Sequence, residues 1–210
     1  MSVANKYTTL TSEKIPSVHE AGKQAEYDAF WDVYQNYGNP TRYHYAFTGS
    51  KWNDTNFKPK YDIVLNSETS NYLFNDSDIT EINVNIDTRN NKAWYQIAYG
   101  ATKLQKIQKI ILKDDGSQVT QGPFTDAKKL TYVRFEGKIG VSASMSACPL
   151  DLNSAKNVIE HLMDYAGTDN DMTYKITFSD TTKALLEAEG ATSPNGNTWL
   201  DYANDKGWNV

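Results

Sequence analysis

The feature that most constrains this chain is a short pattern that recurs about every 25 residues. Each copy opens with an aromatic residue and a polar turn, passes an aliphatic residue, and continues into alternating apolar positions. Three copies open at Phe74, Tyr99 and Phe124, which stand 25 residues apart, and a weaker copy begins at Phe47. A period in the twenties is typical of a leucine-rich-repeat solenoid, whose units are too small to bury their own apolar faces and therefore stack on one another.

The alternation after each turn predicts a short, half-buried strand. In the last copy Val133 and Phe135 point to one side, and the residues interleaved with them point to the other. The middle copy has one residue more between its apolar positions than the last copy, which predicts an insertion or a bulge. We expect buried aliphatic residues beneath the opening aromatics and along the strands at Ile79, Leu104, Leu130, Ile82, Val84, Ile86, Ile107, Ile110 and Leu112.

The segment before the repeats has two parts. Residues 1–20 show no period and are predicted to form an extended N-terminal arm. Residues 21–39 have apolar side chains at helical spacing, and Gly38 and Pro40 favour a helix end there. We expect this helix to cap the open end of the solenoid, because a terminal repeat would otherwise expose its stacking face.

The repeats are predicted over residues 41–148, and the remainder of the chain is predicted to be a C-terminal cap. That cap is expected to contain a helix with Asn153 as its N-cap and Gly167 at its end. A strand, a short helix and an aromatic-rich segment follow over Tyr174–Phe178, Thr181–Glu189 and Trp199–Val210.

The predicted fold class is mixed α/β. It is a short leucine-rich-repeat-like solenoid of roughly four units with an N-terminal helical cap and a C-terminal α+β cap. No linker rich in Gly, Ser or Pro divides the repeats from the cap, so we predict a single repeat domain over residues 21–210, with the cap over 149–210.

The chain also resembles a known group of proteins. The aromatic, turn, leucine and strand unit is similar to the degenerate repeats of BspA-type leucine-rich-repeat-like proteins of gut Firmicutes and their phages. The segments that carry the resemblance cover roughly residues 21–179 and read AGKQAEYDAFWDVYQNYGN, FKPKYDIV, KIILKDDGSQ and LTYVRFEGKIG. The resemblance implies a non-enzymatic recognition or particle-surface role.

Charge and cysteine content exclude several function classes. The net charge is −5 and no basic block is present, so nucleic acid is not an expected partner. The single cysteine, Cys148, excludes an intramolecular disulfide framework and is expected to be a small buried hydrophobe. No stretch approaches the ~18 apolar residues of a membrane span. The N-terminus lacks a signal-peptide pattern, which favours a phage structural component, released by lysis, over a cell-wall protein exported by the secretory route.

No pattern of catalytic or metal-binding residues stands out. His19, His44 and His161 have no carboxylate at metal-ligand spacing, and His161 is expected to be a solvated residue on a helix. A Ser-His-Asp triad needs no sequence proximity, and nothing in the sequence argues for one. The D-x-D pairs Asp76/Asp78 and Asp169/Asp171 lack the glycine and closing glutamate of an EF-hand and are expected to form turns. We therefore predict no catalytic residues, no metal and no cofactor.

Aromatic content is the feature that points to binding. Fourteen Tyr and five Trp residues exceed what a thin core obviously needs, and these side chains are favoured at recognition surfaces and for stacking on sugars, although filling the repeat core is the alternative use. Alternation places Tyr132, Arg134 and Glu136 opposite the buried positions, and Glu81 and Asn83 are weaker candidates on the same face.

The predicted function is a non-enzymatic binding or adhesion module, a phage tail, fibre or head-surface protein that contacts a protein or glycan on a host or particle surface. One alternative is a purely structural virion component, and another is a fragment of a bacterial cell-surface adhesin. The predicted location is the virion, with the extracellular space or cell surface as the alternative. Self-association is a further predicted interaction, and membrane insertion is not expected.

Overall fold

Parallel strand pairing organises the chain in the computed structural model, which describes residues 47–50, 52–55, 57, 59, 62–65, 69–168 and 173–210. The predicted arm and helical cap lie outside the described residues. Within them the chain forms strands β1 to β10 and helices α1 to α3 in the following order: β1 Ile63–Val64, β2 Thr69–Asn71, β3 Glu81–Asp87, β4 Ala93–Tyr95, β5 Lys106–Ile111, β6 Val119–Gln121, β7 Tyr132–Glu136, β8 Ala143–Met145, α1 Leu152–Glu160, β9 Tyr174–Phe178, α2 Asp180–Ala188, α3 Trp199–Asp205 and β10 Trp208–Asn209.

The strands form three sheets in which every pair is parallel. The first sheet has four strands in the order β1-β3-β5-β7, and the second has three in the order β2-β4-β6. The chain alternates between these two sheets, so each successive segment adds one strand to each of them. The third sheet, in the order β10-β9-β8, lies in the C-terminal part of the chain. The predicted mixed α/β class is therefore confirmed.

Two irregularities interrupt the first sheet. The pairing of β3 with β5 shifts register between Ile82 and Asn85, and that of β5 with β7 shifts between Ile107 and Ile110. The second shift confirms the extra residue predicted in the middle copy. The first explains why Val84 is half-buried while Ile82 and Ile86 are fully buried, since an extra residue breaks the alternation of faces. The expectation that Val84 is buried is therefore wrong.

A turn leads from each strand of the second sheet to the next strand of the first sheet, and we call these turns the corners. The residues that match between neighbouring corners differ from those that the sequence predicted. The N–H of Phe74 donates to the carbonyl of Ile97 at 2.8 Å, and the N–H of Ala98 donates to that of Pro123 at 2.9 Å. In this ladder Phe74, Ala98 and Phe124 occupy matching positions, and all three are buried. Tyr99 follows Ala98 and is half-exposed, so its predicted equivalence with the two phenylalanines is wrong.

Unequal segment lengths explain this difference. Phe74 and Ala98 are 24 residues apart, whereas Ala98 and Phe124 are 26 apart, so the equal spacing of the aromatics does not follow the structural register. The aliphatic positions beneath the corner behave as predicted, because Ile79, Leu104 and Leu130 are all buried.

The corners also share their backbone conformation. Two left-handed residues stand four positions apart in each of three corners, at Tyr72 and Asp76, at Gln96 and Gly100, and at Gly122 and Asp126. Such positive φ values are strained for a bulky side chain, so stacked neighbours must stabilise the conformation at Tyr72 and Gln96.

The first element of the predicted C-terminal cap is α1, whose ends differ from the prediction. Asp151, not Asn153, is the N-cap, and its carboxylate accepts a hydrogen bond from the N–H of Ser154 at 2.6 Å. The helix ends at Glu160 rather than near Gly167. It stops early because Leu162 leaves the helix to bridge Ile139.

The elements after α1 follow the prediction more closely. β9 has the predicted bounds, α2 begins and ends within one residue of them, and the aromatic-rich segment forms α3 and β10. Of the three helices that the structure describes, none has the length and apolar character needed for a bilayer crossing.

Candidate binding surface

The outward side of the first sheet carries all five predicted binding residues, and we call it the strand face. It is made of the polar side chains that interleave with the buried ones on β3, β5 and β7, together with Asp62 beside β1. Because the opposite side of these strands packs into the core cluster, the backbone beneath the face is well supported. Its main residues are Asp62, Glu81, Asn83, Asn85, Asp87, Lys106, Gln108, Lys109, Tyr132, Arg134 and Glu136.

Tyr132 and Arg134 lie together at the β7 end of the strand face. The Arg134 guanidinium carbon is 5.0 Å from the centroid of the Tyr132 ring, and Lys106 Nζ, from the neighbouring strand, is 5.8 Å from it. Arg134 also donates to the carbonyl of Asn153 in α1. Two cations therefore lie within 5.8 Å of the tyrosine ring centroid, and both Tyr132 and Arg134 are half-buried rather than fully exposed.

Glu136 is occupied by an ion pair. Its carboxylate lies 2.6 Å from Lys109 Nζ on β5, and the two side chains are 52% and 33% exposed. An exposed pair of this kind contributes little to stability, typically below about 1 kcal/mol. It does neutralise the charge of Glu136, so this residue offers a partner less free charge than the sequence suggests.

Glu81 and Asn83 lie apart from this cluster, at the β1 end of the face. Glu81 pairs across the sheet with Lys106, which pairs with Tyr132, so one whole strand separates Glu81 from Tyr132. The spacing of two strand intervals is about 9.6 Å. The structure thus divides the predicted residues into two sites.

The site at the β1 end is a groove of about 410 Å³, which we call the acidic groove. The sequence analysis did not predict the groove residues that come from the weak copy beginning at Phe47, because the irregular spacing of that copy left its register undetermined. Phe57 was the one residue there whose type pointed to a packed position. The groove is lined by Asp54, Phe57, Pro59, Thr80, Glu81, Asn83 and Val84.

Charge is unevenly distributed over the strand face. β3 carries Glu81 and Asp87, whereas β5 carries Lys106 and Lys109. Burial acts to raise the pKa of Asp87, but the hydrogen bonds and charge of Arg89 outweigh it and leave this pKa below its ordinary value. The face therefore presents an acidic strand next to a basic one.

Residues outside the strand face have structural roles. His161 is the C-cap of α1, and its Nδ1 lies 2.7 Å from the carbonyl oxygen of Gly137, so the expectation of a solvated histidine is wrong. Cys148 is buried as predicted, and burial raises its pKa to about 12. That pKa argues against a thiolate at neutral pH.

The D-x-D pair in the described residues is also used within the chain. Asp78 forms an ion pair with Lys103 at 2.8 Å, and Asp76 accepts a hydrogen bond from Asn75 at 2.9 Å. Asp169 and Asp171 lie outside the described residues, as do His19 and His44. Over the described ranges no three His, Cys, Asp or Glu side chains come together as a set that could hold a metal ion.

Three comparisons with known proteins found no match to this chain. No protein-family model matches the chain, and neither a curated protein nor a solved structure matches it. The resemblance to BspA-type proteins therefore stays a prediction.

Proposed function

We propose that this protein is a non-enzymatic binding module and that the strand face contacts its partner. One observation carries the proposal: outward side chains of successive parallel strands form one surface that is backed by a continuous core. Stacked units build extended binding surfaces in this way, from one position in each unit.

The proposal includes a finer description of the fold. Strands of the first and second sheets alternate along the chain, and matching corners recur at 24- to 26-residue intervals. These features favour a short leucine-rich-repeat-like solenoid of roughly four units with a C-terminal α+β cap. The predicted N-terminal helical cap belongs to the same hypothesis, on sequence grounds alone.

Tyr132 and Arg134 are the residues we expect to contribute most to binding. Tyr and Arg dominate the energetics of many interfaces, and here each is held by contacts on its own face before any partner arrives. A side chain that is already ordered loses less conformational entropy on binding. The partner class is a protein or glycan on a host or particle surface.

The resemblance to BspA-type proteins of gut Firmicutes and their phages supports a place on a phage particle, with the extracellular space or cell surface as the alternative. A purely structural virion component is the second candidate function, because the strand face could equally meet a neighbouring subunit or another copy of the chain. A cell-surface adhesin fragment is the third.

The proposal is tested by blocking the middle of the strand face. Gln108 is exposed on β5 between the two sites. Gln108→Arg adds bulk there and should abolish capture of the partner in a glycan array or a pulldown from host cells. Leu185→Ala, at an exposed position on α2, is the matched control and should bind like the unmodified protein.

The double variant Tyr132→Ala/Arg134→Ala then locates the main contact. We expect binding to weaken by about 2 kcal/mol or more. Since Arg134 also contacts α1, thermal melts must accompany the measurement. Equal binding by Gln108→Arg and the unmodified protein would remove the strand face as the binding surface. A concentration-dependent mass in analytical ultracentrifugation that Gln108→Arg abolishes would instead favour the structural-component function.

A further inference from the structure

The acidic groove has a hydrogen-bonding character of its own. Both donors of Thr80 are used within it, since its N–H and its hydroxyl donate to the two oxygens of Asp54 at 2.8 and 2.6 Å. Asn83 likewise donates from Nδ2 to Glu81 Oε2 at 3.0 Å. These bonds use both donors of Thr80 and one of the two of Asn83, whereas the Asp54 and Glu81 carboxylates keep acceptor sites for an occupant.

The charge of the groove is also one-sided. Asp54 and Glu81 are the charged residues of its described lining, and the other described residues that line it are neutral. Among the residues that the structure describes, neither carboxylate lies within ion-pair distance of a cation, in contrast to Asp78, Asp87 and Glu136.

Apolar side chains form the remaining wall. The Phe57 ring is 6% exposed and packs edge-on against Phe47 and Phe74, with ring centroids 5.0 and 5.3 Å away. Val84 is half-buried because of the bulge in β3 and lies beside it in the groove. This wall is held by the aromatic core, so its shape does not depend on an occupant.

We propose that the acidic groove receives a lysine or arginine side chain of a protein partner. Such a side chain combines an apolar stem with a head that carries only donors, which matches an apolar wall beside a rim of acceptors. A neutral sugar fits less well, because its hydroxyl groups also need donors from the protein. The inference rests on the proposed function and selects, for this part of the strand face, a basic protein segment over a glycan.

The inference is tested by NMR titration of the full-length, ¹⁵N-labelled protein. The probe is an acetylated and amidated tri-arginine peptide, and the matched probe is the same peptide with citrulline, which is neutral and nearly isosteric. We expect saturable shifts of the Glu81 to Val84 amides with arginine and at least about fivefold weaker binding with citrulline. Raising the salt concentration from about 0.02 to about 0.3 M should weaken the arginine complex further.

Two variants assign the effect to the groove. Glu81→Gln keeps the shape of the side chain and should weaken the arginine peptide by about fivefold or more. Glu187→Gln removes an exposed acid from α2, outside the strand face, and should change affinity by less than about twofold. Equal loss in both variants would show a general charge effect and overturn the groove.

The remaining outcomes separate this inference from the proposed function. Shifts confined to Tyr132 and Arg134 would overturn the groove as the basic-residue site and leave the strand face in place. Equal affinity for arginine and citrulline peptides, or binding of maltotriose at Glu81 to Val84, would overturn the choice of a basic side chain. No shift anywhere on the strand face with any probe would overturn the groove and would count against the face as well.

Discussion

The stacked strands and the C-terminal part of this protein are held together in different ways. In the first two sheets, backbone pairing between neighbouring segments provides the regular connections. In the C-terminal part, side chains reach across to backbone groups of distant residues. Lys206 is the clearest example, because its Nζ donates to the carbonyls of Ile159, Glu160 and Leu162 at 2.9 to 3.2 Å.

Other side chains of the C-terminal part have the same role. Trp208 donates to the carbonyl of Met163 at 2.8 Å, and Tyr165 donates to that of Gly140 at 2.6 Å. Asn157 accepts from the N–H of Phe135 at 2.6 Å, so α1 covers the outer edge of β7. An uncovered edge would present unpaired backbone groups to other chains.

This difference indicates which side chains are free to serve function. Where the backbone makes the connections, outward positions can vary without loss of fold, and a binding surface can be placed there. Where side chains make the connections, most substitutions should reduce stability. The predictions that follow test this contrast, from the largest expected effect to the smallest.

Phe124→Ala should give the largest loss of stability, about 3–5 kcal/mol, because it leaves a cavity in the hydrophobic core. Tyr99→Ala should cost clearly less, since Tyr99 is half-exposed beside the matching position rather than in it. Urea unfolding followed by tryptophan fluorescence measures both. Equal losses of stability in the two variants would support the equivalence of Tyr99 and Phe124 that their spacing in the sequence suggested.

Lys206→Met should cost about 2 kcal/mol, because three carbonyls at the end of α1 lose their donor. Burial lowers the pKa of Lys206, which shows that desolvation of its ammonium group opposes these hydrogen bonds. The net loss of stability on removing them is therefore limited. Lys175→Met, at an exposed position of β9, is the matched control and should stay within about 0.5 kcal/mol. Equal effects in urea unfolding would contradict the proposed difference between the two regions.

Asn157→Ala should cost about 1–2 kcal/mol, because the N–H and carbonyl of Phe135 both lose a hydrogen-bond partner. Gln108→Ala on the strand face should change stability by less than about 0.5 kcal/mol. Thermal melts compare the two variants. Light scattering should also rise for Asn157→Ala if the β7 edge becomes available for pairing between chains.

Gln96→Gly should stabilise the protein by about 0.5–1 kcal/mol, because Gln96 has a φ of 45° and glycine adopts this conformation without strain. The opposite substitution, Gly100→Ala, should destabilise, because Gly100 has a φ of 67° that strains an alanine and the new Cβ would also displace the Asp76 carboxylate. Urea unfolding provides both values. A loss of stability in Gln96→Gly would show that the side chain itself holds the corner.

Arg89→Ala should have the smallest effect, a few tenths of a kcal/mol at neutral pH, because Arg89 is 58% exposed. The folded-state pKa of Asp87 is lowered, so its contribution is present above the ordinary carboxyl pKa and is lost as pH falls through the folded value. In the variant, Asp87 lacks the partner that lowers its pKa. On acidification below about pH 4, the free energy of unfolding of Arg89→Ala should therefore fall less than that of the unmodified protein. Unfolding curves at several pH values test this, and identical acid dependence would contradict it.

Much of the fold followed from local patterns. Alternation over residues 132–136 and 174–178 identified strands, and residues such as Leu104 and Leu130 were placed in the core by their position after a turn. The N-cap of α1 was misplaced because Asp151 and Asn153 are both good caps, and only the path of the chain before the helix selects between them.

The sequence by itself determined that the strands have a buried side and an outward side, because each strand segment contains both apolar and polar positions. It also determined the approximate period and placed Tyr132, Arg134, Glu136, Glu81 and Asn83 on one face. Tertiary structure alone decided the register, since Ala98 matches Phe74 only when neighbouring backbones pair and bulges absorb the unequal lengths. It also decided that the predicted residues form two separate groups, because Asp54 and Phe57 line a groove with Glu81 only once the segments pair.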